Sequence, residues 1–135
     1  MNGVKYKVKV IDGGAVEEDR NGRKLLRIRI TAEVGGVRSD YTITFGRRGA
    51  KNATIGYAYI KEETDAERFA ALVEALTGKK PRVRRMGNKI VAECGREHLE
   101  GFMRYAELAD AIERWLEETG RRQGGSDLSP RGSPD

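Results

Sequence analysis

The one cysteine and the one histidine of the chain are the first residues whose types and spacing could support catalysis. Cys94 follows an apolar run and His98 lies four positions later, about one helical turn away. A cysteine nucleophile needs a nearby base, so contact between these side chains would suit hydrolysis. Cys94, however, alternates with Ile90 and Ala92 on what would be the buried face of a strand. We therefore expect a buried, structural cysteine and no catalytic residues.

Motifs that could bind a metal ion or a nucleotide are missing from the sequence. It contains no CxxC, no HExxH and no second histidine, and Gly46 and Gly49 are not followed by GK[ST]. Acids do recur at helical spacing near Arg104 and Arg114, at Glu107, Asp110, Glu113 and Glu117. That pattern is typical of a solvated, salt-bridged helix surface. The sequence thus predicts no metal, no cofactor and no enzymatic activity.

Cations alternate with apolar residues in the first two predicted strands. Val4, Tyr6, Val8 and Val10 alternate with Lys5, Lys7 and Lys9, and Leu26, Ile28 and Ile30 alternate with Arg27 and Arg29. Successive side chains of a strand point to opposite faces of its sheet, so one face would be apolar and the other cationic. Binding to a phosphate backbone needs positive charge concentrated on one face of the protein. Each phosphate that this charge neutralises releases a counterion, which favours binding.

Further cations are concentrated in two other segments. The predicted loop 46–52 contains three cations, and the segment 79–89 contains six cations and no acid, whereas the segment 96–119 contains seven acids and three arginines. We therefore predict a basic sheet and an acidic last helix. The predicted phosphate contacts are Lys5, Lys7, Lys9, Arg27, Arg29, Arg47, Arg48, Arg82 and Arg84, with hydroxyl contacts from Thr42 and Thr44.

Composition limits the class of protein and its surroundings. A formal net charge of +5 and a pI of about 9.5 permit a polyanionic partner without requiring one. A chain that is 35% charged also suits a thermophile surface. The lone cysteine fits a reducing cytoplasm. No apolar run approaches the ~20 residues of a membrane span, and the N-terminus lacks the apolar core of a signal peptide.

Hydrophobic periodicity predicts an α+β fold in the order ββββαββα, with two helices on one face of an antiparallel sheet. Strands are predicted at 4–11, 25–34, 37–45, 54–60, 82–86 and 89–94, and helices at 64–77 and 97–119, the second with a bend near 101–105. The predicted core contains Phe69, Leu72, Val73, Leu76, Phe102, Ile112 and Leu116. Tyr41, Phe45, Tyr57 and Tyr59 are expected mostly on the core face.

The domain organisation is simple. Residues 1–120 are predicted to form a single domain, because 135 residues suit one ordinary core. The segment 12–24, with Gly13, Gly14 and Asn21-Gly22 among charges, is predicted to be a mobile hairpin loop. The segment 121–135 has two prolines and almost nothing apolar, which predicts a disordered tail.

Several motifs between positions 41 and 119 are similar to those of a known family. They are YTITFG at 41–46, GYA at 56–58, DAER at 65–68, LTG at 76–78, ECGR at 93–96, HLEGF at 98–102 and RYAELADAIERWL at 104–116. In these the chain resembles the PaRep proteins, paralogous repeated-gene products of hyperthermophilic archaea. The resemblance implies an archaeal thermophile, a multi-copy gene and a shortened copy of a longer protein. It implies no activity and no functional residue.

From the third strand onward, the order ββαββα is also similar to the body of a LAGLIDADG homing-endonuclease half, which lays a curved sheet on DNA. The helix that carries the metal-binding acid of those proteins has no counterpart ahead of Tyr41, where two strands are predicted. A shared topology fixes no function by itself.

Two functions are therefore expected from the sequence. The first is a non-catalytic nucleic-acid-binding domain that contacts DNA or RNA phosphates through the basic sheet face. The alternative is a protein-interaction or structural domain, which would form a homodimer through the last helix. A further alternative is a degenerate homing-endonuclease-like fold. A cytoplasmic protein without membrane association is expected in either case.

Overall fold

A computed structural model of the chain describes residues 6–121. The strands are β1 (Val8–Arg20), β2 (Arg23–Val34), β3 (Val37–Arg48), β4 (Ala53–Ile60), β5 (Arg82–Met86) and β6 (Lys89–Gly95), and the helices are α1 (Glu63–Thr77), α2 (Arg96–Phe102) and α3 (Ala106–Arg121). Residues 1–5, which include Lys5, lie outside the described part. So does the predicted tail, apart from Arg121 at the end of α3.

The strands form one antiparallel sheet in the order β1-β2-β3-β4-β6-β5. Three consecutive hairpins join β1, β2, β3 and β4. The helix α1 follows β4 and leads to the β5–β6 hairpin, and β6 of this hairpin pairs with β4. The predicted α+β fold and its element order are confirmed. The last helical region is divided into α2 and α3 by a turn at 103–105, where the bend was expected.

The helices pack on one face of the sheet, and the core lies between them. In β2 and β3, Leu26 lies opposite Phe45 and Ile28 opposite Ile43, and all four are buried. The helices contribute the buried side chains of Phe69, Leu72, Val73, Leu76, Phe102, Leu108, Ile112 and Trp115. Leu116, expected in the core, is only partly buried. Because the turn after α2 resets the helical phase, Trp115 takes the fully buried position instead.

The prediction of a mobile loop at 12–24 is wrong. The chain stays in β1 as far as Arg20, and only Asn21 and Gly22, with φ of 53° and 78°, form the turn. Val10 pairs with Ala32 and Asp12 with Thr31, which leaves a β-bulge at Ile11. A bulge adds one residue to a strand and so inverts the alternation beyond it. Backbone pairing along the whole of β2 outweighs the low strand propensity of two glycines.

The expected position of two tyrosines in β4 is also wrong. Tyr57 and Tyr59 lie on the side of the sheet away from the helices, and Tyr59 is 68% exposed. Three of the four inward residues of β4, Thr54, Gly56 and Ala58, are small. A Cβ atom at Gly56 would meet the ring of Phe45 at 2.6 Å. The aromatic ring of β3 therefore occupies the space that inward tyrosines of β4 would need.

No helix in the described part of the chain is both long enough and apolar enough to cross a membrane.

Candidate nucleic-acid interface

The face of the sheet opposite the three helices, here called the outer face, contains most of the predicted contacts. Cross-strand pairing places one residue of each strand in a continuous row across it: Val16, Arg27, Thr44, Tyr57, Glu93 and Arg82. Neighbouring strands are ~4.8 Å apart, so this row spans about 24 Å. The row brings cations, a hydroxyl and an aromatic ring together from distant parts of the chain.

Arg27 and Arg29 project from β2 on this face, as the strand alternation predicted. Arg27 donates a 2.8 Å hydrogen bond to Glu18 on β1. Arg29 lies between Gly14 and Thr42 on the neighbouring strands. Within residues 6–121 the Arg29 guanidinium has no ion-pair or hydrogen-bond partner. A groove of about 590 Å³ opens beside it and is also lined by the acids Asp12 and Glu107. Arg29 is therefore free to bind an anion.

Lys9 of β1 and Lys7, just before that strand, lie apart from these arginines. Lys7 and Lys9 are exposed, and Lys9 lies opposite Glu33. Between Lys9 and Arg29 the outer face contains Thr31, which donates a 2.6 Å hydrogen bond to Asp40. The predicted stripe of positive charge is thus interrupted by acidic residues.

Arg47, a predicted phosphate contact, lies on the opposite face under α3. Its guanidinium donates hydrogen bonds to the hydroxyls of Thr119 and Thr54, at 2.9 and 2.8 Å, and lies 5.1 Å from the centre of the Trp115 ring. It also donates to the carbonyl oxygens of Asn52 and Leu116. Burial lowers the pKa of Arg47 from its usual value. These contacts make Arg47 a structural residue, because its hydrogen-bonding groups are already occupied.

Arg48 is the next residue of β3 after Arg47, so its side chain points to the opposite side of the sheet and lies on the outer face. Its guanidinium is 5.2 Å from the centre of the Tyr57 ring, within cation–π range. The rings of Tyr57 and Tyr59 have centroids 6.4 Å apart and an interplanar angle of 29°. Three planar side chains therefore follow one another on β3 and β4.

Arg82 and Arg84 lie on the outer face of the edge strand β5. Arg84 donates a 3.1 Å hydrogen bond to Glu93 on β6, whereas the Arg82 side chain has no ion-pair partner in the described part. Arg85 faces the other side and lies 3.6 Å from Glu63 of α1. The run of cations at 79–89 is therefore partly neutralised by acids that are distant in the sequence.

In the described part of the chain, Cys94 and His98 are not hydrogen-bonded to each other. Cys94 is buried, as predicted, and burial raises the pKa of its thiol to about 12. His98 Nδ1 accepts a 2.9 Å hydrogen bond from the Gly95 N–H, and its Nε2 is 3.0 Å from the carbonyl oxygen of Lys80. Both ring nitrogens are engaged with the backbone, so His98 fastens the start of α2 to the segment before β5.

A metal centre is not formed by the described residues either. Within 6–121 no three His, Cys, Asp or Glu side chains are grouped in a way that could hold an ion. The outer face instead offers guanidinium groups, the hydroxyls of Thr42 and Thr44, and two tyrosine rings. Such groups can bind anions and stack on planar molecules.

Sequence reasoning missed Tyr57 and Tyr59 as surface residues. The available signal was the alternation of Thr54, Gly56 and Ala58 with the larger residues between them. Small side chains at every second position of a strand mark the face that another layer approaches closely.

Comparison of the chain with protein-family models, with curated proteins and with solved structures gives no match.

Proposed function

We propose that the protein binds nucleic acid through the outer face of its sheet, without catalysis. The observation that carries the proposal is the set of five arginines that strand pairing places on the outer face of the sheet: Arg27, Arg29, Arg48, Arg82 and Arg84. Arginine presents a planar fork of donors that matches phosphate geometry. A surface of this kind suits the regularly spaced charges of a sugar-phosphate backbone.

The balance of charge on the outer face supports the proposal. Its cations, by strand pairing, are Lys9, Arg20, Arg23, Arg27, Arg29, Arg38, Arg48, Arg82, Arg84 and Lys89, and its acids are Asp12, Glu18, Glu33, Asp40 and Glu93. Cations therefore outnumber acids. Two of the acids, Glu18 and Glu93, are already engaged by Arg27 and Arg84. These exposed pairs are weak enough for a phosphate to compete with them.

The salt dependence of binding tests the proposal. Fluorescence polarisation of a labelled oligonucleotide should give a dissociation constant that rises steeply between about 50 and 200 mM salt. The double variant Arg27→Ala/Arg29→Ala should bind more weakly, and its slope of log K against log salt should be shallower by roughly 1 to 2. Both side chains are exposed, so the fold should be retained.

The matched control is Arg104→Ala/Arg114→Ala. It removes the same charge from two exposed arginines of the helical layer. We expect its affinity to stay close to that of the parent protein. If both double variants weaken binding equally, or if the parent protein binds no oligonucleotide at low salt, the proposed interface is wrong.

A protein-interaction domain is the second candidate, favoured by the edge strand β1. The strand is thirteen residues long, its backbone is paired on one side only, and Val16 on it is 60% exposed. Such edges can pair with a strand of another protein. A dimer through α3 is less suited to the structure, because Asp110, Glu113 and Arg114 are exposed there. Light scattering over a range of protein concentrations would detect self-association.

Membership of the PaRep proteins remains part of the proposal. The two longest similar motifs correspond to structural units, since YTITFG lies within β3 and residues 106–116 lie in α3.

A further inference from the structure

We propose that the preferred ligand is a single-stranded polynucleotide whose bases stack on Tyr59 and Tyr57. The inference rests on the proposed function and specifies the ligand of the same outer face. It begins from Tyr59, whose ring is 68% exposed on β4, one of the two central strands of the sheet.

The surroundings of Tyr59 leave its ring open to a ligand. Its only aromatic neighbour in the described part is Tyr57, at 6.4 Å on one side. The residue opposite it on β6 is Val91, which is buried and offers the ring no polar partner. Tyr59 lies near the end of β4, beyond the last residue pair of β3 and β4, so no β3 residue is paired beside it. An aromatic ring exposed in this way, on the side of the sheet away from the core, is a surface on which a nucleobase can stack.

Tyr57 continues this surface towards Arg48. The Arg48 guanidinium lies over the Tyr57 ring at 5.2 Å, and arginine planes also stack on bases. Residues two apart on a strand are separated by ~6.7 Å, so Tyr57 and Tyr59 present two neighbouring stacking positions. Every base has a π-face, so such positions tolerate any sequence.

The arginines flank the tyrosines on both sides. Arg27 and Arg29 are on β2, two strands from β4 in one direction, and Arg82 and Arg84 are on β5, two strands away in the other. At ~4.8 Å between strands, each pair lies about 10 Å from the tyrosine strand. A strand with its bases on Tyr57 and Tyr59 can place its phosphates near either pair.

A duplex does not fit this arrangement as well as a single strand does. Its bases are paired and stacked in its interior, and exposing one of them requires unstacking. A duplex could use only the arginines, whereas a single strand could use the arginines and both rings. Binding of a single strand should therefore exceed that of the duplex of the same sequence.

The test compares a single-stranded oligonucleotide with its duplex, in deoxyribose and ribose forms, by fluorescence polarisation at several salt concentrations. Tyr59→Thr removes the ring but keeps a residue that favours strands. We expect it to weaken single-strand binding by about five- to a hundredfold, since stacking on an aromatic side chain contributes that much per base. The salt slope should stay unchanged, because tyrosine neutralises no phosphate.

Two further variants make the test specific. Tyr59→Phe should recover most of the affinity lost in Tyr59→Thr, because a phenyl ring also stacks. Val37→Thr alters another exposed apolar residue, at the β2–β3 turn, and should bind like the parent protein. The inference concerns bases and phosphates, which DNA and RNA share. A preference for the single strand over the duplex in either nucleic acid therefore supports it.

The outcomes separate this inference from the proposed function. Equal binding of single strand and duplex, with no loss in Tyr59→Thr but a loss in Arg27→Ala/Arg29→Ala, would overturn the stacking inference and leave phosphate binding intact. Failure of the parent protein to bind either form at low salt would overturn both.

Discussion

The guanidinium of Arg47 lies 5.1 Å from the centre of the Trp115 ring, on the covered side of the sheet. The next residue, Arg48, lies on the outer face against Tyr57. Two adjacent cations of one strand thus lie on opposite faces of the sheet. Arg47 connects the end of β3 to α3, whereas Arg48 contacts an aromatic ring on the outer face.

The first prediction concerns this pair of arginines. Arg47→Ala removes the donors to Thr54, Thr119 and the Leu116 carbonyl, and should lower the free energy of unfolding by roughly 2–3 kcal/mol. Arg48 is the neighbouring residue on the outer face, and Arg48→Ala should lower the free energy of unfolding by less than about 1 kcal/mol. Urea denaturation followed by circular dichroism would measure both. Equal losses in the two variants would contradict the structural role of Arg47.

The second prediction concerns close packing at Gly56. Gly56→Ala places a methyl group 2.6 Å from Phe45, and such overpacking should cost about 1–3 kcal/mol of stability. Gly14→Ala is the matched control, because nothing lies within 4 Å of its added Cβ. That change should be neutral or stabilising by up to about 1 kcal/mol. Thermal denaturation of the two variants would distinguish them, and a stable Gly56→Ala protein would contradict the packing of β4 against Phe45.

The third prediction concerns the reactivity of Cys94. Because burial raises the pKa of its thiol to about 12, only about one molecule in a thousand holds the thiolate at pH 9. A thiol reagent should therefore label the native protein slowly and the urea-unfolded protein quickly. His98→Ala should not slow the labelling of the folded state. Rapid native labelling that His98→Ala abolishes would indicate a reactive pair after all.

The same thiol gives a pH dependence of stability. Above pH 9 the thiol of Cys94 loses its proton in the unfolded protein but keeps it in the folded protein. The stability that the protonated, buried thiol contributes to the folded state is therefore lost as the pH rises towards 12. Cys94→Ala should show a smaller decline in stability between pH 9 and pH 11 than the parent protein shows.

The fourth prediction concerns two carboxyl groups at the junction of β1 and α3. Burial, followed by the interaction with Glu118, raises the pKa of Glu17, whereas the hydrogen bond from Lys24 lowers the pKa of Glu118. A raised folded pKa means that Glu17 stabilises the fold when protonated and that this stability is lost as the pH rises through its folded pKa. Glu17→Gln keeps the side chain neutral and should raise Tm at pH 7.

The effect of Glu17→Gln should depend on pH in a defined direction. As the pH falls through the raised pKa of Glu17, the parent protein also becomes neutral at this position, and the difference in Tm should shrink. Glu113→Gln alters an exposed acid of α3, the helix at the same junction, and serves as the control. A difference in Tm that grows as the pH falls would contradict the assignment.

Local patterns in the sequence were sufficient for the element order and the tight turns. The strands predicted at 25–34 and 37–45 leave only Gly35 and Gly36 between them, and both have the positive φ of a tight turn, at 62° and 82°. Gly78 ends α1 with a φ of 82°, as a helix C-cap does. These features depend on the conformational freedom of individual residues, which a sequence displays directly. The outward positions of Arg27 and Arg29 followed from a regular strand alternation in the same way.

The tertiary structure alone decided which face each remaining side chain occupies. The bulge at Ile11 inverts the alternation of β1, the ring of Phe45 leaves room only for small residues of β4, and the turn before α3 brings Trp115 over Arg47. Each of these outcomes depends on contact between segments far apart in the chain. Tyr59 is therefore on the surface and Arg47 is under a helix, because strand pairing and the volume of neighbouring side chains outweigh the preference of either residue by itself.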